Sequence, residues 1–291
     1  MQITRTARRT RTTAALLSLS TMAALTGCAE TAGVPQPTPA VSTGVSVTPA
    51  GPTTTAAAEL AASFDKADFG PGVGMVLAPV GSSEVAVFGD QKARVAWSTM
   101  KVPVALAAQR NGAKQSLINR SIIDSDNDAN LALRESLGTP EQASDKITAV
   151  LRDGGDTTTE LVEIVEPDET FGLTVWPLTA SAVFTAHLPC LPDAGQIVTD
   201  MGEVAGNQQW GLKSMTAKHI TTAVKGGWGP AAEGGVEVRQ IGLITWRDGR
   251  QLAVSMSSYQ PGAEMGVGTA NLNRMATWLG RNLKKLPRGA C

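Results

Sequence analysis

Three short strings in the chain combine residue types that can move an acyl group. Ser98-Thr99-Met100-Lys101 sets a hydroxyl and an amine three residues apart. Ser125-Asp126-Asn127 adds a second hydroxyl beside an amide, and Lys225-Gly226-Gly227 ends a predicted strand with another amine. On a helix, residues three apart share a face, one turn from each other. A serine hydroxyl attacks a carbonyl only when a base takes its proton, and a lysine can be that base once burial or a nearby cation depresses its pKa. Ser-x-x-Lys alone is weak, since it arises about once by chance in a chain of this size; Ser63-Phe64-Asp65-Lys66 repeats it. A plainer reading of the three strings is a helix cap with a solvated lysine, a capping cluster and a turn. Their order along the chain is more specific than any one of them. The two histidines, His187 and His219, lie in no metal-ligand spacing, so neither a metal nor a cofactor is expected.

Elements to position these strings can be read from periodicity and from the glycine and proline breaks. Residues 56–67 read as a helix, and 72–80 and 84–89 as two strands of a hairpin. Helices follow at 98–111, at 117–137 with an interruption near Ser125, and at 140–153, 177–188 and 194–205. Strands return at 221–227, 236–246 and 251–259, the last two joined by Arg247-Asp248-Gly249, and a long amphipathic helix covers 264–286. That order predicts an α+β fold, with an antiparallel sheet assembled from both ends of the chain and a helical block lying against it as a second lobe. The boundary between the lobes is a natural cleft.

Ser-x-x-Lys, then Ser-Asp-Asn, then Lys-(Thr/Ser)-Gly on a late strand resembles the signature of the serine penicillin-recognising enzymes. The flanking residues bring it nearest to class A β-lactamases. Ser98-Thr99-Met100-Lys101-Val102-Pro103 is similar to their nucleophile helix, and Gly155-Asp156-Thr157 with Val165-Glu166-Pro167 to the approach to their omega loop. Val238-Arg239-Gln240-Ile241 is similar to a strand that carries a substrate-binding arginine. The resemblance runs from about residue 57 to the C-terminus. It implies Ser98 as nucleophile, Lys101 as base or hydrogen-bond hub, Ser125 as proton relay and Glu166 as the residue that positions a deacylating water. It further implies that Asn127, Lys225, Gly227, Trp228 and Arg239 bind substrate, with the N–H groups of Ser98 and Trp228 forming an oxyanion hole.

Four departures bear on activity. Ser98 and Ser125 are only 27 positions apart, shorter than in class A enzymes, which implies a reduced all-helical lobe and a more open cleft. Gly226 stands where the family has a hydroxyl residue. Asp168-Glu169-Thr170 replaces the asparagine that helps orient the water, and Asn130 falls one residue early for a second family asparagine. Acylation is therefore expected to be better preserved than deacylation. Three readings stay open: a β-lactamase-like serine hydrolase acting on β-lactams, cell-wall peptides or esters; a catalytically impaired lipoprotein of penicillin-recognising fold that binds a cell-wall or peptide ligand without turnover; and a scaffold whose motifs are relics.

The N-terminus carries Arg5, Arg8, Arg9 and Arg11, an apolar run over 14–25, and then Leu25-Thr26-Gly27-Cys28. That run is too short to span a bilayer and reads as a signal peptide over 1–27. Leu-x-Gly-Cys resembles the bacterial lipobox, which makes Cys28 the lipid attachment site and places the protein on the extracytoplasmic face of the cell membrane, held by lipid alone. Residues 28–57, rich in Thr, Pro and Ala, read as a flexible linker, leaving one domain over 58–291. A net charge of −1 with no basic stripe argues against nucleic acid, so the expected partner is a small-molecule or peptidoglycan-like substrate, bound by a monomer. Cys190 and Cys291 remain, and in an oxidising compartment they are expected to pair.

Overall fold

The structure, a computed structural model, describes residues 55–166 and 170–291. The signal peptide, Cys28 and the linker up to residue 54 lie outside the described residues, as do Pro167, Asp168 and Glu169. The described residues form one compact unit, and their buried hydrophobic core begins at Leu60 and runs to Leu286.

The chain enters through α1 (Thr55–Ala67), which starts inside the stretch read as linker, and forms a hairpin of β1 (Val73–Pro79) and β2 (Ala86–Gly89). A short strand, β3 (Arg94–Val95), leads into a tight turn of helix at Trp97–Met100 and then α2 (Lys101–Arg110). The expected break near Ser125 is real. After α3 (Gln115–Asn119) comes one wide π-type turn, Arg120–Asp124, and α4 (Asn127–Glu135) starts afresh. Asp126 caps α4 by accepting from the Ala129 N–H at 2.8 Å. α5 (Pro140–Asp153) opens with a capping box between Thr139 and Gln142 and a proline in its first turn. After β4 (Val175–Trp176) come α6 (Leu178–His187) and α7 (Gly195–Gly202). β5 (Ile220–Pro230), β6 (Val236–Trp246) and β7 (Gln251–Ser258) complete the sheet, and α8 (Met265–Asn282) closes the fold.

Both chain ends build the main sheet, whose order is β2-β1-β7-β6-β5, with every neighbouring pair antiparallel. Side chains on a strand alternate between faces, and this sheet is covered on both. Val76, Ala78, Ile241, Leu243 and Ala253 pack with the helical block, including Leu106, Ile147 and Phe184. Their neighbours Met75, Leu77, Val238, Ile244 and Val254 pack with α1 and α8, where the Phe64 ring meets the Trp278 edge at 5.5 Å. Fully burying each Val, Leu, Ile, Met or Phe among these contributes about 1.5–3 kcal/mol. Lys225, Gly227 and Arg239 fall on the helical-block face, because Lys225 pairs with Ile241 and Gly227 with Arg239 across β5 and β6. Cys190 and Cys291 are disulfide-bonded, Cα to Cα 5.3 Å, tying the end of the chain to the segment after α6.

Candidate active site

Beneath the helical block, at the end of β5, a cavity of about 400 Å³ is lined by Ser98, Lys101, Asn127, Asn130 and Trp228 among others. Ser98 reaches it because the chain turns sharply out of β3. Trp97 takes φ +49°, a left-handed conformation rare outside glycine, and the Thr99 hydroxyl binds back to the Ala96 carbonyl at 2.5 Å. Gly227 lets this turn sit directly on β5. A methyl group there would lie 2.9 Å from the Ser98 nitrogen and 3.0 Å from both the Thr99 nitrogen and the Ala96 oxygen. Trp228, next on the strand, joins the cavity wall.

Lys101 comes off the first turn of α2 and is 5% exposed. Its ammonium donates to the Ser125 carbonyl, to the Ser125 hydroxyl at 3.3 Å and to Asn127 Oδ1 at 2.7 Å. Burial lowers its pKa to about 8, against a smaller opposing pull from the Asp126 carboxylate. Lys225 reaches the same hydroxyl from the sheet, at 2.9 Å. Its other two bonds go to Gln208 Oε1 at 2.6 Å and the Gly226 carbonyl at 3.0 Å. Burial, and secondly the charge of Lys101, hold Lys225 well below the usual lysine range. Ser125 presents its hydroxyl to both amines from a left-handed conformation, φ 57° and ψ 32°, at the end of the π-type turn. A non-glycine residue there costs roughly 1–2 kcal/mol, the kind of strain that concentrates at functional sites.

Thus Ser98, Lys101, Asn127 and Trp228 share the cavity wall, while Ser125 and Lys225 sit behind Lys101. Lys225 is 0% exposed and all three of its N–H donors are engaged inside the protein. Its ammonium therefore faces Ser125 and the protein interior, off the cavity wall. Arg239 likewise departs from expectation. It is 0% exposed, and its guanidinium donates to the carbonyls of Arg94, Val95 and Trp176 and reaches the Ser181 hydroxyl at 3.3 Å. The small β3–β4 ribbon covers it, so Arg239 ties that ribbon to the sheet and lies off the cavity wall. Glu166 is exposed and is not among the cavity's lining residues; Thr170, Gly172 and Leu173, farther along the same segment, are. Gly226 has a steric reason: a side chain there would meet the Trp210 ring at 2.6 Å, so the ring occupies the space a hydroxyl residue would need.

Two polar groups escape a sequence reading. Gln208, fully buried, accepts from Lys225 and the Gly226 N–H and donates to the carbonyls of Ile122 and Ile123. It thereby joins β5 to the turn that presents Ser125. Glu237, on β6 opposite Gly229, has its pKa raised to about 7 by burial, with Arg239 and Arg94 opposing. Nothing in the local pattern around either residue marks it. Asp156, by contrast, holds the segment that follows α5: it accepts from the Thr158 and Thr159 N–H groups and from Trp176 Nε1 at 2.8 Å.

No protein-family model and no curated protein matches the chain. Solved structures do. The extended-spectrum β-lactamase TLA-3 aligns with a TM-score of 0.64 at 13% identity, over 78% of this chain and 99% of that one. An ancestral class A β-lactamase aligns at 0.58 with 18% identity, over 79% and 99%. PBP-A aligns at 0.61 with 16% identity, over 81% and 98%. At such identities the likeness speaks of architecture, and the architecture of the described residues is that of the β-lactamase and transpeptidase-like fold.

Proposed function

We propose that this protein is a serine hydrolase of β-lactamase type, in which Ser98 attacks a β-lactam, cell-wall peptide or ester carbonyl and carries the acyl group. The observation that carries this reading is the meeting of Lys101 and Lys225, from α2 and β5, on the Ser125 hydroxyl behind the wall that holds Ser98. Neutral Lys101 takes the Ser98 proton as the serine oxygen bonds to the carbonyl carbon. The N–H groups of Ser98 and Trp228 receive the oxyanion. Collapse breaks the carbon–nitrogen or carbon–oxygen bond, and the proton passes from Lys101 through Ser125 to the leaving atom. Asn127 fixes Lys101 and offers its amide to the substrate.

A second reading follows from Glu166. With that carboxylate off the cavity wall, water attack on the acyl-enzyme is slow, and the protein behaves as a penicillin-binding protein that holds its ligand. Incubating the soluble domain with a fluorescent penicillin separates the cases. A label that appears and decays, with hydrolysed product, supports the hydrolase; a lasting label supports slow turnover; no label contradicts both. Ser98→Ala should abolish labelling. Ser63→Ala should not, because Ser63 accepts from Trp278 Nε1 at 3.0 Å among the packed aromatic residues of α1 and α8.

Lipid attachment at Cys28 is part of the same proposal, supported by Leu25-Thr26-Gly27-Cys28. It puts the domain outside the cytoplasm on the membrane. Metabolic labelling with palmitate should mark the full chain and not its Cys28→Ala variant.

A further inference from the structure

A second and larger cavity, about 750 Å³, lies at the other end of β5 and β6. Ile220 and Trp246 belong to its lining, whereas Trp228 and Pro230, at the far end of β5, line the cavity of Ser98. The eight residue steps from Ile220 to Trp228 span about 26 Å of strand. Cations dominate the wall of this second cavity: Arg247, Arg281, Lys284, Lys285 and Arg288. Asp248, the one acid among the lining residues, is already bridged by Arg250 at 2.7 Å and Arg288 at 3.7 Å. Among the described residues no carboxylate comes within ion-pair distance of Arg247, Arg281 or Lys284. The cations are not spread by the composition, since the chain as a whole has 25 Lys and Arg against 26 Asp and Glu. Under them lies an apolar floor, where the Trp246 ring carries the Arg288 guanidinium at 4.4 Å.

The same face holds the root of α1. Lys285 pairs with Glu59 at 2.6 Å, and Glu59 stands one helical turn, about 6 Å, from Thr55, where the chain joins the domain. From this juxtaposition we propose that the basic face docks the domain on anionic phospholipid headgroups, with the Ser98 cavity turned away from the bilayer. The orientation rests on attachment at Cys28; the headgroup binding does not. Unpaired guanidinium and ammonium groups around a shallow apolar floor suit phosphodiesters at a membrane surface, each cation near that surface strengthening binding roughly fivefold. Exposed charges of this kind are screened by salt.

The soluble domain should co-sediment with vesicles of phosphatidylcholine containing about one-third phosphatidylglycerol and not with phosphatidylcholine alone, and added salt should release it. Arg247→Ala combined with Arg281→Ala and Lys284→Ala should weaken binding more than tenfold at an unchanged melting temperature. The corresponding lysine replacements at 247 and 281 should keep it, since only charge is required. Equal binding to both vesicles, no binding to either, or full binding by the triple alanine variant overturns the proposal. So does displacement by soluble glycerol phosphate at millimolar concentration, which would mark a pocket for a small phosphate. None of these outcomes depends on the chemistry at Ser98 or on lipid at Cys28.

Discussion

Two amines on one hydroxyl cannot both stay protonated without repulsion in a buried setting. Ser125 takes bonds from Lys101 and Lys225 at once, and both lysines are shifted downward, Lys101 to about 8. Only the neutral amine of Lys101 can accept the Ser98 proton. The rate of penicillin adduct formation should therefore climb as pH rises through about 8 and level off above it; a rate constant from about pH 6 to about pH 9 would contradict Lys101 as the base. Gln208 is the residue that keeps Lys225 in place. Gln208→Ala leaves the Lys225 ammonium, the Gly226 N–H and two carbonyls without their partner, at a cost of about 1–3 kcal/mol, and should slow labelling as well as lower the melting temperature. Ser98, Lys101, Ser125, Asn127 and Lys225 were legible in the sequence because their strings are local and fall in a recognisable order. Gln208 was not. Its partners are 17 or more positions away in the chain, and no local spacing encodes such a bond.

At the scale of elements, the site depends on how closely the turn at Trp97–Met100 lies on β5. Gly227→Ala puts a carbon against backbone atoms that cannot swing aside. It should destabilise the domain by about 1–3 kcal/mol and reduce adduct formation in proportion to the displaced Ser98 N–H. Unchanged melting and labelling would show that this contact does not set the site. The strands, the interrupted helix before α4 and the terminal helix were readable because burial on both sheet faces and the caps of α4 and α5 agree with local pattern. The β3–β4 ribbon was not, since two residues per strand give no periodicity to read. The resemblance alone implied Arg239 as a substrate-binding residue, and the ribbon's backbone carbonyls cover its guanidinium.

Taken whole, the domain closes on itself at the last residue. The Cys190–Cys291 bond spans 101 positions, and loop-closure entropy makes a bridge of that span worth roughly 4–5 kcal/mol. Cys190→Ser should lower the melting temperature by about the same amount as a reductant does, with no further loss when the two are combined; an unchanged melting curve would contradict a structural bond. The cysteine count announced this bond, and the order of elements announced a sheet built from both ends of the chain. Clustering of cations at the α1 and α8 end was hidden, because Arg247, Arg281 and Lys284 are dispersed in sequence and come together only when β6 and α8 end on the same side.

The most direct test is to digest the domain after exposure to penicillin and locate the added mass. The account predicts one acyl group per chain, on the peptide that contains Ser98, and none in Ser98→Ala. An adduct elsewhere, or an unmodified protein after prolonged incubation at a pH above that of Lys101, would contradict it.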